Sequence, residues 1–383
     1  YNPVRATPMR VKGMRVKGIT LLALFLVTSV AIAEVKPETI GISKMKAPEA
    51  TWFFVKSTFG PAYIFDSATG DMHGLISLST FSPAVEPNLS RGEIYSAGSY
   101  YSRGNRGDRT DVVDIFDVES LAPIDEIKIP TKVAAALPFR HYIGLMDDKK
   151  HLAVFNMTPA SSVSIVDIDK RKFVVEISTP GCALIMPSEN RSFLQICGDG
   201  TLQQIRLDKK GNEQDRIRSE VFFNVDEDPV FDKPVPTPDG WLLLSYKGNI
   251  REASVAGKKV TVTDPWSILS EEDKSGNWQT GGGQLMAYHA GLNLIFAVMH
   301  QGEPDTHEDP GNEVWIFDRA TQRRIARLKL TTSGSNLLVS QTEEPLLTVT
   351  GVDGQLHVYD VKKMKLVRSI NQVGGPAGLL QGF

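Results

Sequence analysis

Val314-Trp-Ile-Phe-Asp318-Arg-Ala-Thr-Gln322 is an alternating apolar run that stops at an aspartate and passes into small polar residues. Such a run reads as a strand with successive side chains on opposite faces, and the short aspartate carboxylate suits a turn because it bonds nearby backbone N–H groups. The same unit recurs as Ala62-Tyr-Ile-Phe-Asp66, Val112-Val-Asp-Ile-Phe-Asp117, Ser164-Ile-Val-Asp167 and Leu356-His-Val-Tyr-Asp360. Weaker copies are Gln204-Ile-Arg-Leu-Asp208 and Ile250-Arg-Glu-Ala-Ser254. From Asp66 to Asp360 the seven markers are 51, 50, 41, 46, 64 and 42 residues apart, averaging 49. That period predicts an all-β chain folded as a seven-bladed β-propeller, the competing all-β arrangement being a large β-sandwich.

The rest of the composition agrees with a large folded chain. Of 383 residues 41% are hydrophobic and 23% charged, which excludes disorder and collagen. A net charge of −3 gives no basic surplus for nucleic acid. The first 33 residues differ in kind: five basic residues, no acid, then an apolar run from Ile19 to Ile32 ahead of Ala31-Ile32-Ala33. They read as a secretory signal cleaved after Ala33, with an uncleaved anchor as the alternative. The repeated Met9-Arg-Val-Lys-Gly and Met14-Arg-Val-Lys-Gly suggest that the start is one of these methionines. Residues 34–383 form the expected propeller domain, with 37 basic and 45 acidic side chains, 37 − 45 = −8, and no further stretch long and apolar enough for a membrane helix. Such a signal predicts export to an oxidising compartment. There the pair Cys182 and Cys197 reads as one disulfide; a reactive thiol is the competing reading, without nearby basic residues to favour it.

The longest interval holds Asp264-Pro-Trp-Ser-Ile-Leu-Ser-Glu-Glu-Asp-Lys274, which predicts a short helix with Ser267 as N-cap and Glu271 in its first turn. Gly281-Gly-Gly283 lacks the Lys and Ser/Thr of a phosphate loop and reads as a flexible lead into a strand. His300, Asp305, His307, Glu308 and Asp309 resemble metal-ligand types, but their place between Pro304 and Pro310 reads as a solvated loop, and no metal is expected. No nucleophile, acid–base or haem motif emerges, so no catalytic residue is assigned to this chain. Two features stand out. Arg103, Arg106 and Arg109 alternate with glycines in a cationic loop suited to a carboxylate-bearing partner, although Arg109 and Asp111 could equally tie the loop to its own blade. Phe81, in Ser79-Thr-Phe-Ser-Pro83, is an aromatic in a turn-forming segment, where a core role is the plainer alternative.

Arg103-x-x-Arg106-Gly-x-Arg109-Thr-Asp111, with the Phe116-Asp117 strand end, resembles the heavy chains of methylamine dehydrogenase and aromatic amine dehydrogenase. Further matches follow in order: Cys197-Gly-Asp-Gly200, Glu227-Asp-Pro-Val-Phe231, Trp266-Ser-Ile-Leu, Asn277-Trp278, Ala287-Tyr-His-Ala290, Glu344-Pro-Leu-Leu347 and Arg368-Ser-Ile-Asn-Gln-Val-Gly374. The resemblance implies the non-cofactor half of a periplasmic two-plus-two heterotetramer. Its small, disulfide-dense light chain would carry tryptophan tryptophylquinone. Primary amines would be oxidised to aldehyde and ammonia, with electrons passing to a small copper protein such as amicyanin or azurin. By position, Phe81 corresponds to the phenylalanine of the substrate channel, and Cys182 and Cys197 to the internal disulfide. Cys197-Gly-Asp-Gly200 and Val298-Met-His300 look more like the aromatic amine enzymes, whereas Asn371-Gln-Val-Gly-Gly-Pro376 looks more like the methylamine enzymes. The amine therefore stays open. A free-standing periplasmic propeller that only binds is the alternative from a different class.

Overall fold

Apolar runs ending at aspartate do form the strands, and their burial explains their composition. Trp52–Ser57 and Ala62–Asp66 are buried along their whole length, whereas the outer strands Pro123–Ile129 and Lys365–Asn371 expose most of their side chains. Inner strands are covered on both faces and so are continuously apolar; outer strands meet water. The structure, a computed structural model, describes residues 43–133, 139–371 and 377–383. The expected signal segment 1–33 lies outside the described residues.

Among the described residues, antiparallel hydrogen bonding gives six sheets. The first combines Trp52–Ser57, Ala62–Asp66 and Met72–Ile76 with the last strand of the chain, Ala377–Gly382. The next three are four-stranded, running over Glu86–Ile129, Ile143–Ser178 and Cys182–Arg218, and the fifth has five strands between Val235 and Ser267. The sixth is a continuous sheet of eight strands from Trp278 to Asn371. The seven-bladed expectation is therefore corrected: five blades are separate four- or five-stranded sheets, and one eight-stranded sheet takes up the remainder. The 17-residue strand Arg323–Val339 is the cause. Its first part pairs with Gly311–Asp318 and its second with Leu346–Gly351, and Gly334 faces both Gly311 and Gly351. Aspartate turns mark hairpins, and a hairpin recurs whether or not the sheet breaks between copies.

Each sheet packs face to face on the next. Trp52 and Phe54 meet Ile94 and Phe116 of the second sheet, and Tyr95 and Val113 meet Leu152 and Val166 of the third. Phe155 meets Phe193 of the fourth, Leu194 meets Trp241 of the fifth, and Leu242 meets Ile295 of the sixth. Leu356 and Val358 return to Phe53 and Phe65 of the first, which closes the ring of a β-propeller. The eight-stranded sheet bends at its long strand, so Val314 and Leu328 pack on Leu347 and Tyr359 of its own other half.

Six of the seven markers cap turns: backbone N–H groups of Ala68, Ser120, Lys170, Asn212, Thr321 and Lys363 donate to Asp66, Asp117, Asp167, Asp208, Asp318 and Asp360. Ser254 does not. It lies inside the strand Asn249–Ala256, with its hydroxyl against that of Thr261 across the ladder. The helix is Glu271–Ser275, and its N-cap is Ser270 rather than Ser267, because Ser270 and Asp273 form a reciprocal capping box. Ser267 instead lies in the two-residue strand Trp266–Ser267. Cys182 and Cys197 are directly opposite on adjacent strands and joined as a disulfide. Gly281 and Gly282 serve a close crossing: a Cβ on either would stand 2.3 Å from the carbonyl oxygen of Asp309 or Ser335.

Lys56 is the costly feature of this packing. Its side chain is 1% exposed, its ammonium donates to the Ser57 carbonyl oxygen, and no carboxylate pairs with it among the described residues. Burial lowers its pKa to about 8. A lysine whose folded pKa lies below its unfolded value destabilises fully below about pH 8 and ceases to do so as pH rises past the unfolded value. Lys56→Met is expected to raise the unfolding free energy at pH 7 by up to roughly 3 kcal/mol, with the gain shrinking toward pH 10. Urea titrations at the two pH values check this, and an equal gain at both would exclude the charge as its cause.

Candidate functional site

The second sheet projects the longest regular hairpin, Glu93–Tyr101 against Arg109–Asp117, paired without a break from Glu93↔Asp117 to Tyr101↔Arg109. Its tip is tied by Ser102 N–H to the Asp108 carbonyl, Arg103 N–H to the Arg106 carbonyl and Asp108 N–H to the Ser102 hydroxyl. Gly107 has a φ of +99°, and a Cβ there would stand 2.3 Å from Ser102 Oγ. The glycines between the arginines are therefore what lets the chain turn so tightly.

The three arginines separate into two kinds. Arg109 turns inward: its Nε and Nη2 donate to the two oxygens of the fully buried Asp111 at 2.7 and 2.6 Å, and Nη2 also reaches Ser99 Oγ and the Val133 carbonyl. Asp111 further accepts the Val133 N–H at 2.9 Å. The bond to Asp111 raises the Arg109 pKa despite partial burial. Arg109 thus holds the hairpin to the following segment. Arg103 and Arg106 are exposed at the tip and have no ion-pair partner among the described residues. This leaves two cationic side chains available to another molecule.

Phe81 reaches the same place from a different part of the chain. Its backbone bridges Ser99, its N–H donates to Ser79 Oγ at 3.1 Å, and the Ser79 hydroxyl donates to the Ser99 carbonyl. The ring is half-buried and stands edge-on to Tyr101 at 5.5 Å, outside the sealed clusters between sheets. Phe81 and the arginine hairpin therefore meet around Ser99.

Tyr100 and Asp114 are the neighbours that sequence reasoning missed. The Tyr100 hydroxyl donates to Asp114 Oδ2 at 2.7 Å. Burial pushes the Asp114 carboxyl up to about 6, the Tyr100 bond opposes the shift, and the Glu126 charge adds to it. The adjacent pair Tyr100-Tyr101 was the available signal, because strand alternation sends the two rings to opposite faces.

Tips equivalent to the arginine hairpin, joining second and third strands of other sheets, carry exposed apolar side chains: Phe59 at 59%, Met157 at 47% and Val352 at 59%. The opposite turns carry the capping aspartates. In a repeated unit these two sets fall on opposite ends of the ring, so the end with the two unpaired arginines also carries these three apolar tips, while at the other end the capping aspartates alternate with basic residues such as Lys170, Lys209 and Lys363.

The former metal-ligand candidates are occupied separately. His300 Nε2 contacts Thr306 Oγ1 at 3.0 Å, Asp305 accepts from the Tyr246 hydroxyl, and the His307 ring packs near Phe231 and Tyr246. Among the described residues no group of three such side chains is placed to hold a metal. Nor do the tryptophans suit a quinone made from two of them. Trp278 and Trp315 are close, with centroids 5.0 Å apart, but Trp315 is fully buried, donates to Glu313 and is covered by Arg324 and Arg327. A substrate has no approach to it.

The model of the methylamine dehydrogenase heavy chain family matches residues 49–380. A methylamine dehydrogenase heavy chain from Methylophilus methylotrophus is 26% identical over 375 residues, covering 92% of each chain. One from Methylobacillus flagellatus is 30% identical over 233 residues, covering 60% of this chain and 58% of its own. Two solved structures share the fold at 12% identity: a functionally unknown protein from Desulfotomaculum acetoxidans, TM-score 0.58, and the β-propeller domain of Myceliophteria thermophila Cps50 (Swd1), TM-score 0.55. Each covers 84% of this chain and 96% of the solved chain.

The two kinds of arginine should separate in experiment. Arg109→Ala leaves the buried Asp111 charge without its main partner and is expected to cost about 2–4 kcal/mol. Arg106→Glu should leave stability within about 0.5 kcal/mol. Urea denaturation distinguishes them, and equal losses would contradict the assignment.

Proposed function

The chain belongs to the methylamine dehydrogenase heavy chain family, and we propose that it is the heavy, non-cofactor subunit of a periplasmic amine dehydrogenase. The observation that carries this reading is the family match along nearly the whole described chain. In the proposed reaction a primary amine is oxidised to an aldehyde and ammonia, and the electrons leave to an amicyanin- or azurin-like copper protein. The light chain supplies tryptophan tryptophylquinone as the electron-accepting group, and two copies of each chain assemble. Residues 1–33 act as the cleaved export signal, and the Cys182–Cys197 disulfide suits an oxidising compartment.

This chain's own residues bind and shape. Phe81, steadied by the edge of Tyr101, supplies an apolar wall that narrows the path of an alkyl or aralkyl group and keeps water from it. Arg103 and Arg106 offer guanidinium forks to carboxylates of the light chain, and the apolar tips beside them give the same end area to bury. The inward Arg109 holds the hairpin that presents them.

Co-expression with the light chain and its maturation proteins is expected to give amine-dependent dye reduction that the purified chain lacks. Activity of the lone chain, or its isolation from the periplasm without a quinone-bearing small chain, would overturn the reading. Within the active complex, Phe81→Ala should shift kcat/KM toward bulky amines by about tenfold, a few contacts' worth of binding energy, with assembly intact. Unchanged selectivity with loss of folding would make Phe81 a core residue. Arg106→Glu should weaken light-chain association several-fold and more so at low salt, read by analytical ultracentrifugation.

A further inference from the structure

A cleft of about 410 Å³ lies where the ring closes, between the outer strand Lys365–Asn371 of the eight-stranded sheet and the turn that follows Asp66 in the first sheet. Arg368 lines it. Its Cδ and Nη1 lie 3.6 and 3.8 Å from the point where a Cβ on Gly70 would stand, and Gly70, with a φ of +87°, holds that turn in the left-handed region. The guanidinium forms no ion pair and no hydrogen bond among the described residues, and its Nε is buried with no acceptor. The side chain as a whole is half-buried and its outer nitrogens meet water at the cleft, but the buried Nε–H without an acceptor is a cost that a ligand oxygen would relieve. The nearby acids do not relieve it. Asp66 bonds the Ala68 N–H and the Thr69 hydroxyl, and Asp71 lines the cleft without pairing with Arg368.

The remaining lining defines what fits. Phe65 and Ile370 form a buried apolar wall, Met72 is an exposed apolar rim, and Thr69 and Asn371 bring a hydroxyl and an amide. A planar guanidinium matches a carboxylate through two parallel bonds. One guanidinium beside Asp71 favours a single negative charge over the double charge of phosphate.

We propose that this cleft is a binding site for a monocarboxylate with a short apolar body, its oxygens held by Arg368 and its tail against Phe65 and Ile370. Such a ligand touches both the first sheet and the last, so its binding strengthens the closure of the ring.

The test uses the mature chain with ¹⁵N-labelled arginine. Its Arg368 Nε–H resonance is assigned by its absence in Arg368→Lys, and butyrate is titrated against sodium chloride at matched ionic strength and against inorganic phosphate. A saturable shift of that resonance with butyrate is expected, together with a rise in Tm of a few degrees, several-fold weaker binding of acetate, and at least tenfold weaker binding of butyrate to Arg368→Gln. Equal responses to butyrate and chloride, undiminished binding in Arg368→Gln, or tighter binding of phosphate would each overturn the proposal. Butyrate binding that is lost in the assembled complex would place a partner's carboxylate in the cleft and overturn the assignment to a small ligand.

Discussion

Ala377–Gly382 lies antiparallel to Trp52–Ser57, so the first sheet of the ring is made from both ends of the described chain. Apart from this junction and the packing of Leu356 and Val358 on Phe53 and Phe65, neighbouring sheets are also neighbours in sequence, and each sheet needs a neighbour on either side to cover its two apolar faces. Without the terminal pair, the first sheet would lose its innermost strand, and Phe53, Val55 and Leu380 would lose the partners that seal the ring. Loop closure over more than three hundred residues is entropically unfavourable, and here it is compensated by burial distributed around the whole ring. The hairpin that carries the arginines is rigid because the sheet beneath it is clamped between two others.

Local chemistry was legible in the sequence and long-range pairing was not. An aspartate bonding a backbone N–H two to four residues ahead leaves a mark on a short stretch, and six such marks located the turns. Whether Arg323–Val339 breaks into two strands depends on what lies on either side of it, Gly311–Asp318 and Leu346–Gly351, and no local pattern records that. Two errors were avoidable. Ser270-Glu-Glu-Asp273 carries the capping box that Ser267 lacks, and Ser254 sits inside an alternating run whose turn falls three residues later, at Gly257.

The site divided along the same line. Arg109 and Asp111, two apart on one strand, share a face, and their pairing follows from alternation alone. The meeting of Phe81 with Tyr101 does not, because it depends on how the segment between the first and second sheets folds back to Ser99. The buried Asp114 was invisible for a further reason. The sequence shows an aspartate amid valines and isoleucines, and only the fold reveals that its hydrogen-bonding partner is a half-exposed tyrosine while Glu126 stands opposite.

The fused sheet has a consequence for the ancestry of the chain. Rings of repeated units gain or lose members by duplication and deletion, and such events are tolerated where the unit removed takes only its own hydrogen bonds with it. The five separate sheets have boundaries of that kind. From Trp278 to Asn371 there is none, since excision at any internal turn would strip a ladder from the strand left behind. That arc is expected to be inherited whole, so that changes in the size of the ring are confined to the other side of it.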